Sequence, residues 1–191
     1  METLSLQPHH GRERRAPVYA HAPEAAWRRP ERGVVEGRTG EEPERRGPSA
    51  PLRVTVTTTA SDAHTWNLVY LQLLIEEMGH TVTNLGCCVP DELIVSHTLR
   101  TRPDLLVVSS VNGHGYQDGL RVVTLLRGVP ELSALPVVIG GKLGTTGGLG
   151  HSMTRELIDA GFDAVFEENG TAVTALRSFV GALHSAGEHR P

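Results

Sequence analysis

Residues 51–185 show two alternating patterns of apolar positions. Short runs rich in β-branched residues predict strands over 52–59, 81–85, 105–109, 136–140 and 163–166. Apolar residues at helical spacing predict helices over 66–78, 90–100, 118–126, 152–160 and 171–183. The first helix rests on a spacing that begins with Trp66, Val69, Tyr70 and Leu73. Strand and helix therefore alternate five times along this part of the chain.

This alternation predicts an α/β fold with a mostly parallel sheet and helices on both faces. The third and fourth strands are almost continuously apolar, as expected for strands that are covered on both sides. Five such units suit a flavodoxin-like (Rossmann-like) doubly wound sheet with strand order 2-1-3-4-5. Ligands bind such sheets beyond the carboxyl ends of the strands, near the point where the strand order reverses. The loops after strands one, three and four are therefore the places to look for chemistry.

The first fifty residues follow neither pattern. They contain nine arginines, eight glutamates and six of the twelve prolines of the chain. Such a segment buries too little apolar surface to offset its conformational entropy. The sequence therefore predicts a disordered tail over 1–50, one folded domain over 51–185 and a disordered C-terminus over 186–191.

Charge and composition exclude several classes of protein. The formal net charge is -4, so the basic footprint of a nucleic-acid-binding protein is absent. No apolar run is long enough for a transmembrane helix, and no secretory signal is recognisable at the N-terminus. Cys87 and Cys88 are adjacent and match neither a zinc-ligand spacing nor a CxxC pair. We expect a cytoplasmic protein that binds neither nucleic acid nor a membrane.

The loop after strand one places Asp62 and His64 two residues apart. An imidazole can bind a metal through one nitrogen when an acceptor holds the other nitrogen, and Asp62 is close enough in sequence to be that acceptor. The same residues are also compatible with an ordinary loop histidine and an exposed aspartate that caps the following helix, and this loop alone favours that simpler interpretation.

The loops after strands three and four are rich in serine and glycine. Ser109 and Ser110 can donate hydrogen bonds to a ligand, and Gly113 and Gly115 permit unusual backbone angles. His114 is either a second ligand or an exposed loop residue. The loop over 140–150 is either a wall that a bulky ligand approaches closely or a long flexible loop. It lacks GxxxxGK[ST], and no GxGxxG follows strand one, so phosphate-loop and dinucleotide sites lack their motifs.

Together the three loops resemble a known family. The segment 61–65 (Ser-Asp-Ala-His-Thr) resembles the start of the DxHxxG signature of cobalamin-binding domains, and the segments 109–115 and 140–141 resemble that family's second and third segments. Within the family, residues 52–183 most resemble the small (sigma) subunit of methylaspartate mutase, also called glutamate mutase. Asn67 departs from the signature, because the family has glycine at that position.

The resemblance implies a role for each matched residue. His64 would be the lower ligand of cobalt in place of the cofactor's own dimethylbenzimidazole, and Asp62 would hold the other ring nitrogen. Gly140 and Gly141 would leave room for the displaced base. The full set implied to bind the cofactor is Ser61, Asp62, Ala63, His64, Thr65, Asn67, Ser109, Ser110, Val111, Gly113, Gly140, Gly141, Lys142, Leu143, Gly144, Thr145 and Thr146. No catalytic residue is predicted on this chain.

The resemblance further implies an isomerase subunit that carries adenosylcobalamin. Such an enzyme rearranges a carbon skeleton by radical chemistry, as in the interconversion of L-glutamate and threo-3-methylaspartate. A (β/α)₈ barrel needs about 250 residues, so we expect the substrate site on a large barrel-type catalytic subunit, in a heterotetramer. A corrinoid methyl carrier of a methyltransferase system, a non-catalytic cobalamin sensor and a module that has lost its cofactor are the alternatives.

Overall fold

The computed structural model describes residues 50–145 and 149–188. The chain divides into two units between residues 44 and 45, and every described residue belongs to the second unit. The predicted tail, apart from Ala50, lies outside the described residues, as do Thr146 and residues 189–191.

Five strands form one parallel sheet. They are β1 (Arg53–Thr58), β2 (Thr81–Asn84), β3 (Leu105–Ser109), β4 (Val137–Gly141) and β5 (Ala164–Glu167). The strand order is β2-β1-β3-β4-β5, and all neighbours pair in parallel. This order confirms the predicted flavodoxin-like sheet. The carboxyl ends of all five strands therefore lie along one edge, with the switch point between β1 and β3.

Five helices connect and cover these strands. They are α1 (Thr65–Glu77), α2 (Asp91–Thr101), α3 (Gly115–Arg127), α4 (His151–Ala160) and α5 (Ala172–Glu188), with a short 3₁₀ turn over Pro130–Leu132. The expected domain boundary at residue 185 falls inside α5, so disorder from residue 186 onward is wrong for 186–188. No helix among the described residues is long and apolar enough to cross a bilayer.

Helix α3 begins at Gly115, ahead of the predicted start at Asp118. A Cβ on Gly115 would lie 2.6 Å from Leu143 Cδ2 and 2.8 Å from Ser110 Cβ. Only a glycine lets the first turn of the helix close onto these two loops. The prediction missed this turn because glycine disfavours helix on average, whereas here tertiary packing requires it.

The core consists of two apolar layers, one on each face of the sheet. Leu105 and Val107 of β3 pack with residues of α1 and α5, and Leu106 and Val108 pack with residues of α2, α3 and α4. Successive side chains of a strand point to opposite faces, which explains the unbroken apolar run of β3. The rigid sheet between these layers fixes the loops at its carboxyl edge.

The apolar spacing that predicts α1 does not mark the buried side of this helix. Trp66 is 70% exposed and Leu73 is 61% exposed, whereas Leu68, Leu74 and Ile75 are buried. Because α1 is apolar on more than one side, its periodicity alone cannot identify the stripe that faces the sheet.

Candidate functional site

The turn after β1 holds Asp62 and His64 in direct contact. The Asp62 amide donates to the Thr59 carbonyl at 3.0 Å, which starts the turn, and α1 begins one residue after His64. Asp62 Oδ1 accepts the His64 amide at 2.9 Å and lies 2.8 Å from His64 Nδ1. Asp62 does not cap α1, because the N-cap residue of that helix is His64. The interpretation of Asp62 as a helix cap is therefore wrong.

The Asp62 carboxylate fixes the imidazole. It is fully buried, whereas the His64 side chain is 49% exposed. Its Oδ2 accepts the Val111 amide from the loop after β3. Burial disfavours the charged form of Asp62, but the hydrogen bonds from the Val111 amide, the His64 amide and the His64 ring together lower its pKa. An ionised carboxylate can only accept, so in the neutral ring Nδ1 carries the hydrogen and Nε2 keeps its lone pair.

Two further contacts hold the Asp62 backbone. Its carbonyl accepts the Thr58 hydroxyl at 2.8 Å and the Cys88 amide at 2.9 Å. Cys88 adopts a left-handed backbone angle, with φ of 52°. The adjacent cysteines thus lie beside the His64 turn, where the backbone of one of them supports it.

Asn112 joins the turn after β1 to the loop after β3, although the sequence analysis did not single it out as a site residue. Its Nδ2 donates to the Ser61 carbonyl at 2.9 Å and to Ser61 Oγ at 2.8 Å. Its Oδ1 accepts the Ser110 hydroxyl at 3.0 Å and the His114 amide at 2.9 Å. The sequence feature that could have identified Asn112 is its position just after the carboxyl end of β3. His114 is exposed and is the N-cap residue of α3.

A groove of about 190 Å³ lies beside this turn, bounded by the sheet and by α1 and α5. The predicted site residues that line it are Asn67, Ser109, Val111, Gly140 and Gly141. The sequence analysis missed the other lining residues, which include Tyr70, Phe166, Asn169, Val173 and Leu176. The lining residues on and just after β5 could have been predicted, because the carboxyl ends of all parallel strands meet at the same edge of the sheet.

The two glycines in the groove wall are needed by the sheet itself. A Cβ on Gly140 would lie 2.9 Å from the Phe166 carbonyl oxygen, and a Cβ on Gly141 only 2.3 Å from the Ser110 carbonyl oxygen. Gly141 also has φ of +111°. Room for a ligand is thus not the only reason for this pair, because neighbouring backbone already excludes a side chain.

Asn67 lines the groove. Its Nδ2 donates to Ser109 Oγ, which ties the first turn of α1 to the end of β3. A glycine at this position would leave that space open. The departure from the DxHxxG signature therefore has a definite structural result, because a half-buried carboxamide stands between the helix and the sheet.

The remaining predicted residues lie around these contacts. Ala63, Thr65, Lys142 and Thr145 are exposed, and Thr65 Oγ1 donates to Cys87 Sγ at 3.3 Å. Leu143 is buried in the core, and Thr146 lies outside the described residues. The Gly113 amide donates to the Lys142 carbonyl at 3.1 Å. Lys142, Leu143 and Gly144 line a second cavity beside Glu167 and are not among the residues that line the groove.

Comparison with known proteins identifies the family. The model of the B12 binding domain matches residues 52–177. A glutamate mutase sigma subunit from Halobacterium salinarum is 30% identical over 132 residues, which cover 68% of this chain and 83% of the relative. The same subunit from Fusobacterium nucleatum is 26% identical over 120 residues, which cover 62% of this chain and 86% of the relative.

Solved structures show the same architecture. A cobalamin-binding protein from Desulfitobacterium hafniense superposes with a TM-score of 0.52 at 20% identity, over 68% of this chain and 58% of that one. A LuxR-family response regulator from Aurantimonas sp. superposes with 0.53 at 16% identity, over 70% of this chain and 86% of that one. Likeness at this level shows the fold alone, whereas the sequence match extends through the His64 turn and both later loops. The chain belongs to the B12-binding domain family.

Proposed function

We propose that this chain binds a cobalamin with His64 as the lower ligand of cobalt. The observation that carries the proposal is the contact of 2.8 Å between His64 Nδ1 and the buried carboxylate of Asp62. This contact leaves Nε2 as the nitrogen with a lone pair on a half-exposed ring. A carboxylate behind a histidine ligand also fixes the tautomer and the orientation of the ring.

The residues present fit a metal that arrives with its own equatorial ligands. Among residues 50–145 and 149–188, no group of three or more His, Cys, Asp and Glu side chains could hold a metal ion. One anchored imidazole is too little for a bare ion but sufficient for cobalt in a corrin, which supplies four nitrogens of its own.

The groove fits the part of the ligand that His64 would displace. It opens beside the turn, its lining is mainly apolar, and its polar groups include Ser109 and Asn169. Apolar clefts with a few well-placed polar groups are typical of cofactor sites. We propose that the nucleotide tail lies in this groove, beside Asn67.

We further propose that the chain is the cobalamin-carrying subunit of an adenosylcobalamin-dependent carbon-skeleton mutase. The basis is the similarity to the two glutamate mutase sigma subunits. Adenosylcobalamin supplies a radical by homolysis of its cobalt–carbon bond, and the protein contributes position and electrostatics. The substrate, L-glutamate or a related amino acid, would bind to a barrel-type partner subunit that docks against the carboxyl edge of the sheet.

Electron-spin resonance of the Co(II) form tests the ligand assignment. With unlabelled protein, the nitrogen of the lower ligand splits each cobalt line into a triplet. Uniform 15N labelling of the protein changes this triplet to a doublet only if the nitrogen belongs to the protein. We expect the doublet in the wild type and its loss in His64→Ala. The matched control is His114→Ala, which removes the other histidine of these loops and should keep the doublet. A triplet in the labelled wild type would contradict the assignment.

The mutase assignment needs a separate experiment. The chain is co-expressed with a candidate barrel subunit, and the purified complex is incubated with adenosylcobalamin and L-glutamate. We expect 3-methylaspartate to form with the wild type and to be lost with His64→Ala. A complex that contains cobalamin but converts neither glutamate nor related amino acids would refute the mutase role and leave the binding role intact.

A further inference from the structure

An ionic network lies behind the His64 turn, on the side of α2 and α3. Asp91 and Asp118 are only 5% and 7% exposed. Arg121 joins them, because its Nη1 donates to Asp118 Oδ1 at 2.8 Å while its Nε and Nη2 donate to the Asp91 carboxylate. Burial opposes the charge of Asp118, but hydrogen bonds from Ser61 and Arg121 lower its pKa. Asp118 is therefore a charged acceptor held in one orientation.

The second oxygen of Asp118 reaches the turn after β1. Asp118 Oδ2 accepts the hydroxyl of Ser61, a residue 57 positions earlier in the chain. Ser61 directly precedes Asp62, and its carbonyl and hydroxyl oxygens both accept the Asn112 amide. The Asp118 carboxylate of α3 therefore contacts Ser61, and Asn112 connects Ser61 to the loop after β3.

These contacts continue to the imidazole. Asn112 directly follows Val111, whose amide donates to Asp62 Oδ2. The other oxygen of Asp62 holds His64. The Val111 contact of the Asp62 carboxylate thus depends on how the two loops lie against each other, and Ser61 and Asn112 connect those loops.

We propose that Asp118 is a positioning residue for the His64 ring, acting through Ser61 and Asn112 on the Asp62 carboxylate. The physical reason is the freedom of an exposed serine. Its hydroxyl has three staggered rotamers, and a fixed charged acceptor selects the one in which Oγ can also accept from Asn112. Without that acceptor the hydroxyl turns away, Asn112 loses one of its four side-chain hydrogen bonds, and the Val111 amide is held less firmly against Asp62.

This inference rests on the proposed function, because the orientation of His64 matters when this residue binds cobalt. Its effect on the ring of His64 can nevertheless be measured in the ligand-free protein. The ring nitrogens of His64 report it directly, because their NMR shifts show which nitrogen carries the hydrogen. In the wild type we expect the Nδ1–H form to predominate. Ser61→Ala and Asp118→Ala should each lower its population, and Asp118→Asn should restore part of it because an amide oxygen still accepts from Ser61.

Two further variants complete the test. The double variant Ser61→Ala/Asp118→Ala should show no further change beyond either single one, because residues of one chain of contacts are not additive. Asp159→Ala is the matched control, since it removes an aspartate from the exposed Arg155–Asp159 pair of α4 and should leave His64 unchanged. Ser61→Ala removes only an exposed hydroxyl, so it decides the question even if Asp118→Ala fails to fold.

The loaded protein supplies the second readout. Loss of the partner directly behind a metal ligand lowers metal affinity about 10- to 100-fold. Asp118 acts on that partner through Ser61 and Asn112, so we expect cobalamin to dissociate faster from Asp118→Ala than from Asp159→Ala, by up to about tenfold. An unchanged His64 tautomer in both Ser61→Ala and Asp118→Ala, or additive effects in the double variant, would overturn the inference. A changed tautomer in a protein that binds no cobalamin even as wild type would support the positioning role and refute the proposed function.

Discussion

The two faces of the sheet differ in chemistry where they meet the carboxyl edge. On the side of α2 and α3, the charged residues Asp91, Asp118 and Arg121 hold one another in fixed directions. On the side of α1 and α5, the groove is mainly apolar, with Phe166 and Leu176 among its lining residues. The turn that carries His64 lies between these two regions.

This difference shows how one fold can orient a single side chain and also accommodate a large ligand. Hydrogen bonds to charged groups are directional, so the polar side can set the angle of a single imidazole. Apolar contact is non-directional and follows the area buried, so the groove can receive a large group without defining every atom of it. Each of the predictions below tests one side of this comparison.

The largest expected effect comes from the groove wall. In Gly141→Ala the new Cβ meets the Ser110 carbonyl oxygen, and the residue keeps a positive φ. We expect the free energy of unfolding to fall by about 3 kcal/mol, measured by urea denaturation of the ligand-free protein. Gly181→Ala in α5 is the control, because a Cβ there meets nothing within 4 Å, and alanine should raise stability by about 0.5–1 kcal/mol. A stable Gly141→Ala protein would mean that this glycine serves only a ligand.

The polar side should be acid-sensitive. Asp62 and Asp118 have folded-state pKa values below their usual value of 3.8, so below that value the unfolded chain binds protons that the folded one does not. Their contribution to stability is therefore present above about pH 4 and is lost as the pH falls through the folded-state values. We expect the free energy of unfolding, measured against pH, to fall less steeply in acid for Asp118→Asn than for the wild type. Parallel curves would show that folding does not lower the pKa of Asp118.

The smallest effect is expected at Asn67, which lines the groove. Asn67→Gly restores the residue of the DxHxxG signature and removes the hydrogen bond to Ser109. We expect the dissociation constant of cobalamin to fall by about threefold, since the groove opens, and stability to fall by under ~1 kcal/mol because glycine weakens the helix. Titration followed by absorbance measures the first effect. Weaker binding in Asn67→Gly would show that the carboxamide itself contacts the ligand.

Much of the fold and part of the site could be predicted from local pattern. Each strand and helix follows from a short stretch of sequence, and the strand order follows from their alternation. Asp62 and His64 are two residues apart, so their contact needs only a tight turn. The prediction that Asn67 replaces a glycine likewise needed only the signature, although its bond to Ser109 did not follow from it.

The residues that were missed depend on distant parts of the chain. The Val111 amide donates to a carboxylate 49 residues away, and Ser61 reaches an acceptor 57 residues away. No period or motif in the sequence distinguishes the buried Asp118 from an exposed aspartate of a helix. Phe166 and Leu176 are apolar residues of ordinary strand and helix patterns, and they line a groove only because β5 and α5 pack beside β4 and α1.

The sequence by itself determined the alternation of strands and helices, the parallel sheet and the presence of an aspartate and a histidine two residues apart after the first strand. These features depend on neighbours in the chain, whose side chains meet through the geometry of one strand or one turn. Only the tertiary structure decided which side of α1 is buried, which glycines the sheet requires and which carboxylate supports the turn. Those outcomes depend on packing between segments that the sheet alone brings together.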